Sequence, residues 1–205
     1  MAVLRYPRFK FRPGHADALH VDLWVAGQNL LRDAGSFSYA AATEWIDYFT
    51  GVTGHSTVQF DERDQMPRLS RFLFGAWLKT VSVEPLLDTT DAITCGASYR
   101  DRHGATHARR LRLNSDRLSI HDEVGGFSRK AVVRWRLRPG AWRVEGQAVT
   151  DGRDQVKIET RMPVFRFELV RGWESRYYLQ KTEVPVLEVE VHEPGVLTTE
   201  YRWGA

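Results

Sequence analysis

The stretch His15-Ala16-Asp17-Ala18-Leu19-His20-Val21-Asp22-Leu23-Trp24-Val25, then Ala26-Gly27-Gln28-Asn29, then Leu30-Leu31-Arg32-Asp33, reads as a β-hairpin closed by Gly35. Apolar and polar side chains alternate along it, and a glycine-containing turn separates its two arms. Period-two alternation puts His15, Asp17, Leu19, Val21 and Leu23 on one face of the first arm. Asp33 falls at the end of the returning arm, where it can approach the polar members of that face.

The same rhythm continues downstream. Strands are expected over Ser56 to Asp61, Ser70 to Leu78, Ala92 to Tyr99, His107 to Leu113, Arg117 to Asp122, Lys130 to Leu137, Trp142 to Val149, Val156 to Thr160, Val164 to Leu169 and Val186 to His192. Turns fall at Asp101-Arg102-His103-Gly104, Gly125-Gly126, Pro139-Gly140, Asp151-Gly152 and Pro194-Gly195. Ten or more short strands at this spacing predict an all-β fold, a large antiparallel β-sandwich of two packed sheets. The one short helix expected lies over Ala40 to Phe49. No repeat, low-complexity tract or linker divides the chain, so residues 1–205 are expected to form a single domain.

Composition narrows the function classes. Hydrophobic residues make up 42% and charged residues 27%, a globular balance. The net charge of +3 is spread among acids, without the basic stripe that nucleic acid requires. No stretch approaches the roughly 18 apolar residues of a spanning helix, so no membrane partner is expected. The N-terminus has no apolar core of a signal peptide, so the chain is expected to carry no export signal of its own. The single cysteine, Cys95, excludes an internal disulfide and a cysteine-based zinc cluster.

The chemistry-bearing candidates are His15, Asp17, Asp33 and His55. One reading joins Asp17, Asp33 and His55 around a divalent ion such as zinc, with His15 beside it as a catalytic group. The other has the aspartates capping turns and the histidines packing with one ring nitrogen satisfied by backbone. Spacing by itself leaves both open, because the four residues spread over some forty positions lack a diagnostic metal motif. Tyr39 and Tyr48 lie near these residues, either as groove residues or as packing with the hydroxyl at the rim.

The runs from Phe11 to Trp24 and from Gly27 to Tyr39 resemble the opening of the C-terminal domain of heparinase II/III-like proteins. So do Tyr48-Phe49, Gly54-His55-Ser56-Thr57-Val58, Asp64-Gln65-Met66 and Arg71-Phe72-Leu73. Beyond about residue 80 the likeness is looser. The resemblance implies a β-sandwich that pairs with an N-terminal α/α toroid, in bacterial lyases that cleave uronic-acid-containing polysaccharides by β-elimination. It implies that His15 stands next to the sugar, that Asp17, Asp33 and His55 hold a structural metal such as zinc, and that the family's catalytic tyrosine lies on the toroid; Tyr39 is a second catalytic candidate only by its place near the motifs. Two departures stand out: Ser56 where the family commonly has asparagine, and Asp17 where metal-binding relatives often have histidine.

No helical block precedes His15, so an isolated chain is expected to be a weak lyase or an inactive one. An acidic polysaccharide is the expected partner, with a separate toroid chain or a second copy as the expected protein partner. The alternative is a non-catalytic carbohydrate-binding or interaction module from a split or truncated gene. Relatives typically work in the periplasm or outside the cell, which leaves cytoplasmic and periplasmic placement both open. The seven tryptophans read mainly as packing, and the Arg100 to Arg112 segment as a solvated strand and loop rather than an anion site.

Overall fold

The computed structural model describes residues 1–204. In chain order its strands are β1 (Ala2–Leu4), β2 (Val21–Val25), β3 (Gln28–Leu31), β4 (Val58–Phe60), β5 (Arg68–Ser70), β6 (Leu73–Phe74), β7 (Lys79–Asp88), β8 (Ile93–Arg100) and β9 (Thr106–Leu113). There follow β10 (Arg117–Gly125), β11 (Ala131–Arg136), β12 (Arg143–Glu145), β13 (Ala148–Thr150), β14 (Gln155–Thr160), β15 (Val164–Glu174), β16 (Thr182–Val191) and β17 (Gly195–Arg202). One α-helix, α1 (Thr43–Thr50), and a single 3-10 turn at Val52–Gly54 complete the fold. Among the described residues no helix is long and apolar enough to cross a membrane.

An eight-stranded sheet, ordered β12-β13-β14-β17-β10-β9-β8-β7, packs on a four-stranded sheet ordered β15-β16-β11-β4. The pairings are antiparallel throughout, as the alternation predicts. Strand β10 shows why: Leu118, Ile120, Asp122 and Val124 are buried while the residues between them are not. The inner faces meet around Trp135, whose ring is fully buried and whose Nε1 donates to Thr199 Oγ1 across the sandwich at 3.1 Å. A small sheet, β1-β2-β3, joins the rim of the second sheet where Arg32 N–H donates to the Arg136 carbonyl at 2.9 Å.

Several expected elements shift. The first arm of the opening hairpin begins at Val21, not His15; residues 15–20 form an irregular loop in which Leu19 has φ +58°. The turn is two residues long, with Ala26 at φ +48° and Gly27 at φ +78°, the geometry whose twist matches flanking strands. The expected strand from Ser70 to Leu78 is instead the hairpin β5-β6 and a loop, and the strand follows as β7. That strand carries Pro85 beside a register shift, a position an edge strand tolerates because no neighbour needs the missing N–H. Trp142 to Val149 resolves into two strands around Gly146, whose φ is +62°. Strand β15 runs on to Glu174, and β17 lies beyond the last strand expected.

The helix sits close to where it is expected. Ile46 and Phe49, three residues apart, are its buried positions. Phe49 stacks on Phe37 with centroids 5.3 Å apart, so α1 closes one side of the region that holds the candidate residues.

Candidate functional site

Four loops converge beside the small sheet. Arg5 follows β1 and continues its pairing: its N–H donates to the His20 carbonyl at 3.0 Å, and Leu19 N–H donates to the Arg5 carbonyl at 2.7 Å. Asp33 follows β3, and the next residue, Ala34, donates to the Gly54 carbonyl at 3.0 Å. His55 follows the 3-10 turn. The fourth segment is the 15–20 loop, held at Leu19 and His20 by those backbone bonds to Arg5 and at Ala18 by side chains. Gln65 receives Ala18 N–H on Oε1 at 2.8 Å and returns Nε2 to the Ala18 carbonyl at 3.0 Å, which Thr57 Oγ1 also meets at 2.6 Å. With its backbone groups paired, an irregular segment stays buried at little cost.

Asp33 is the hub. Its Oδ2 accepts from Arg5 Nη1 at 2.6 Å and lies 3.5 Å from His55 Nδ1 and 3.8 Å from His20 Nε2, while Oδ1 receives Gly35 N–H at 2.7 Å. Burial opposes ionisation of Asp33, but the His55 and His20 rings and the Arg5 guanidinium hold its carboxyl well below the usual carboxylate range. Only glycine suits position 35: its φ is +77°, and a Cβ there would come within 2.3 Å of the Ser175 carbonyl oxygen. Burial, reinforced by the neighbouring His55, pushes His15 down from the ordinary histidine value, and burial pushes His20 down too.

Ligand atoms of His15, Asp33 and His55 lie within 4.8 Å of one another, and so do those of His20, Asp22 and Asp33. His55 is fully buried and neither ring nitrogen has a hydrogen-bond partner; His15 Nδ1 is likewise buried and unpartnered. Orphaned buried polar atoms cost about 1–3 kcal/mol each, a cost that metal coordination offsets. Two imidazoles and a carboxylate also form a donor set suited to zinc, so these residues fit the ion.

Asp17 stands outside both groups. Its Oδ2 instead meets Arg5 Nη1 at 3.2 Å, because the loop carrying it is not a strand and does not turn it the way of His15. His15 joins Asp33 and His55 rather than standing apart from them, with its ring 5.3 Å from that of His55. Its Nε2 lies 3.3 Å from Ser36 Oγ, at the edge of a cavity of about 200 Å³. Arg12, Tyr39, Arg71 and Phe72 line the same cavity, and Tyr39 is exposed, edge-on to Phe72 at 5.9 Å. Tyr48 is a packing residue: its hydroxyl receives Arg136 Nη1 at 3.0 Å and Trp173 N–H at 2.7 Å.

Sequence reasoning passed over Arg5, His20 and Asp22. The signal for the last two was present, since their spacing of two places both on one face of a strand end. Arg109 was misread as solvated. It is fully buried on β9, grips Asp122 of β10 through Nε at 2.6 Å and Nη2 at 2.9 Å, and donates Nη1 to the carbonyls of Leu19 at 2.6 Å and Ser56 at 2.7 Å. It thereby fastens both histidine-bearing loops to the large sheet.

The Heparinase II/III-like, C-terminal family matches residues 6–196. The chain belongs to this family. Among solved structures, a heparinase III with methylated lysines is similar over 100% of this chain and 32% of its own, at 16% identity and TM-score 0.81. A mutant heparan sulfate lyase HepC from Pedobacter heparinus is similar over 100% of this chain and 33% of its own, at 15% identity and TM-score 0.78. A further heparinase III matches 93% of this chain and 30% of its own, at 12% identity and TM-score 0.74. This heparinase II/III-like domain thus spans about a third of the length of these structures. No curated protein matches it.

Proposed function

We propose that this domain is the sandwich part of a lyase that cleaves uronic-acid-containing polysaccharides by β-elimination, with a zinc ion on His15, Asp33 and His55 supporting the sugar-facing surface. The observation that carries this reading is the cavity beside His15: its charged lining residues are Arg12 and Arg71, with no acid among the lining, and Tyr39 and Phe72 offer exposed rings. In β-elimination a base removes the proton α to the uronate carboxylate and an acid protonates the departing glycosidic oxygen. Charge then builds on the carboxylate, and Arg12 and Arg71 are the groups of this chain that can neutralise it.

Tyr39 supplies the proton-transfer hydroxyl of this chain at the rim. His15, with Nδ1 given to the ion, presents its Nε2 edge to the cavity and orders the surface without acting as a base. When bound, zinc supplies positive charge that joins the His15 and His55 loops to Asp33. A second reading, a sugar-binding module without turnover, is favoured by one observation: among the described residues no side chain hydrogen-bonds the Tyr39 hydroxyl to activate it.

Calorimetry with heparan sulfate, alginate and neutral dextran, beside ultraviolet detection of unsaturated uronate ends, tests both readings. Binding to the acidic polymers alone, weakened at least about tenfold in Arg12→Ala/Arg71→Ala, with product that disappears in Tyr39→Phe, is the expected result. Equal binding to dextran would sink the acidic-substrate reading. Selective binding with no product, also when a helical toroid chain is supplied, would favour the module.

A further inference from the structure

The carboxylate cluster has two lobes that share Asp33, and only one of them is open. In the lobe of His20, Asp22 and Asp33 the ligand atoms lie within 4.8 Å of one another. Arg5 already lies across it. Its Nη1 meets Asp33 Oδ2 at 2.6 Å and Asp17 Oδ2 at 3.2 Å, and its Nη2 meets Asp22 Oδ2 at 3.3 Å. Three carboxylates against one guanidinium leave two negative charges uncompensated, the charge of a single divalent ion.

His20 points into the same lobe. It is fully buried, and its Nε2 lies 3.3 Å from Asp22 Oδ2 without a well-aligned hydrogen bond. Its Nδ1 receives Ser56 N–H at 2.9 Å, so in the neutral ring the proton resides on Nε2. His20 therefore offers this lobe a donor and keeps no lone pair for a metal. Any ion that entered would be held by oxygens alone, a set that suits manganese or calcium better than zinc.

We propose that Arg5 is a built-in cation: it fills the second lobe of the cluster, aims Asp33 at His15 and His55, and so reserves the site for one metal ion instead of two. The proposal extends the zinc reading above through the shared Asp33. Removing the guanidinium while keeping the stem, as in Arg5→Met, turns the second lobe into an oxygen-lined divalent site. The backbone bonds of residue 5 to Leu19 and His20 are untouched by that change.

Native mass spectrometry and calorimetry with Zn²⁺ and Mn²⁺ on the wild-type chain, Arg5→Met, Arg5→Lys and His55→Ala provide the test, with circular dichroism to confirm that each variant is folded. Arg5→Met is expected to bind one more divalent ion than wild type, preferring Mn²⁺ at the added site and retaining it when combined with His55→Ala. Arg5→Lys, which keeps the charge, is expected to match wild type. A folded Arg5→Met with no added ion overturns the proposal, as does a wild-type chain that takes two. Because the readout is a gain over wild type, a wild-type chain that binds no zinc refutes the zinc reading separately. Nitrogen-15 spectra of the histidine rings add an independent check: a proton on His20 Nδ1 would also overturn the argument.

Discussion

Two buried polar clusters of this domain use similar side chains to opposite ends. In the first, Arg109, Asp122 and His107 are all fully buried, the Arg109 fork is bidentate on Asp122, and His107 Nε2 lies 2.7 Å from the same carboxylate. Arg109 Nη1 reaches two backbone carbonyls, and the guanidinium lies 4.7 Å from the centroid of the Trp135 ring. Among its nitrogens and oxygens, His107 Nδ1 is the group left without a partner. In the second, His55 has neither nitrogen bonded, and His15 and His20 have one each without a partner. A cluster that closes on itself is built to hold sheets and loops together, whereas one whose donor atoms converge without closing is built for something else to complete it.

The largest effect is expected from breaking the closed cluster. Asp122→Ala strands the Arg109 charge in the core and should destabilise by about 3–5 kcal/mol, measured by urea unfolding. Loss of less than about 1 kcal/mol would mean that the cluster opens to water and that the contrast between the two is false. Next in size is completion of the open cluster. Zinc at a hundredfold excess over its dissociation constant should stabilise the wild type by about 2.7 kcal/mol, and chelation or His55→Ala should abolish that gain in a thermal melt.

Residue by residue, the smallest effect is a pH slope. Burial lowers the pKa of His15, His20 and His107, with His15 also pushed down by His55, so the unfolded chain takes up protons near pH 6.5 that the folded chain refuses. Stability should therefore fall as pH drops below about 6.5, by up to about 1.4 kcal/mol per pH unit for each histidine. Zinc should steepen the loss, since protons compete with the ion at His15 and His55 but not at His107. A stability curve flat between pH 7 and 5 would contradict the burial of all three.

Much of this was legible along the chain, and the failures are specific. The alternation of β9 and β14 was plain enough to place those strands to within a residue, and that of β10 to place its start, because half-buried antiparallel strands must alternate. Leu197, Thr199 and Tyr201 show the same period in β17, a signal that went unused. The 15–20 loop imitates a strand in its spacing but is held by Gln65, Thr57 and Arg109, residues 39 to 90 positions away from those they bind. No local rule foresees such bonds.

The sequence by itself determined the all-β class, through period-two alternation, and the family, through the likeness of its motifs, and it singled out His15, Asp17, Asp33 and His55 as candidates without fixing which of them meet, because periodicity and residue type are local properties. Tertiary structure alone decided that His15 joins Asp33 and His55, that Asp17 turns to Arg5, and that Arg109 is a core residue. Each of those outcomes depends on contacts between residues far apart along the chain, and a polar group removed from water must take the partner the fold presents.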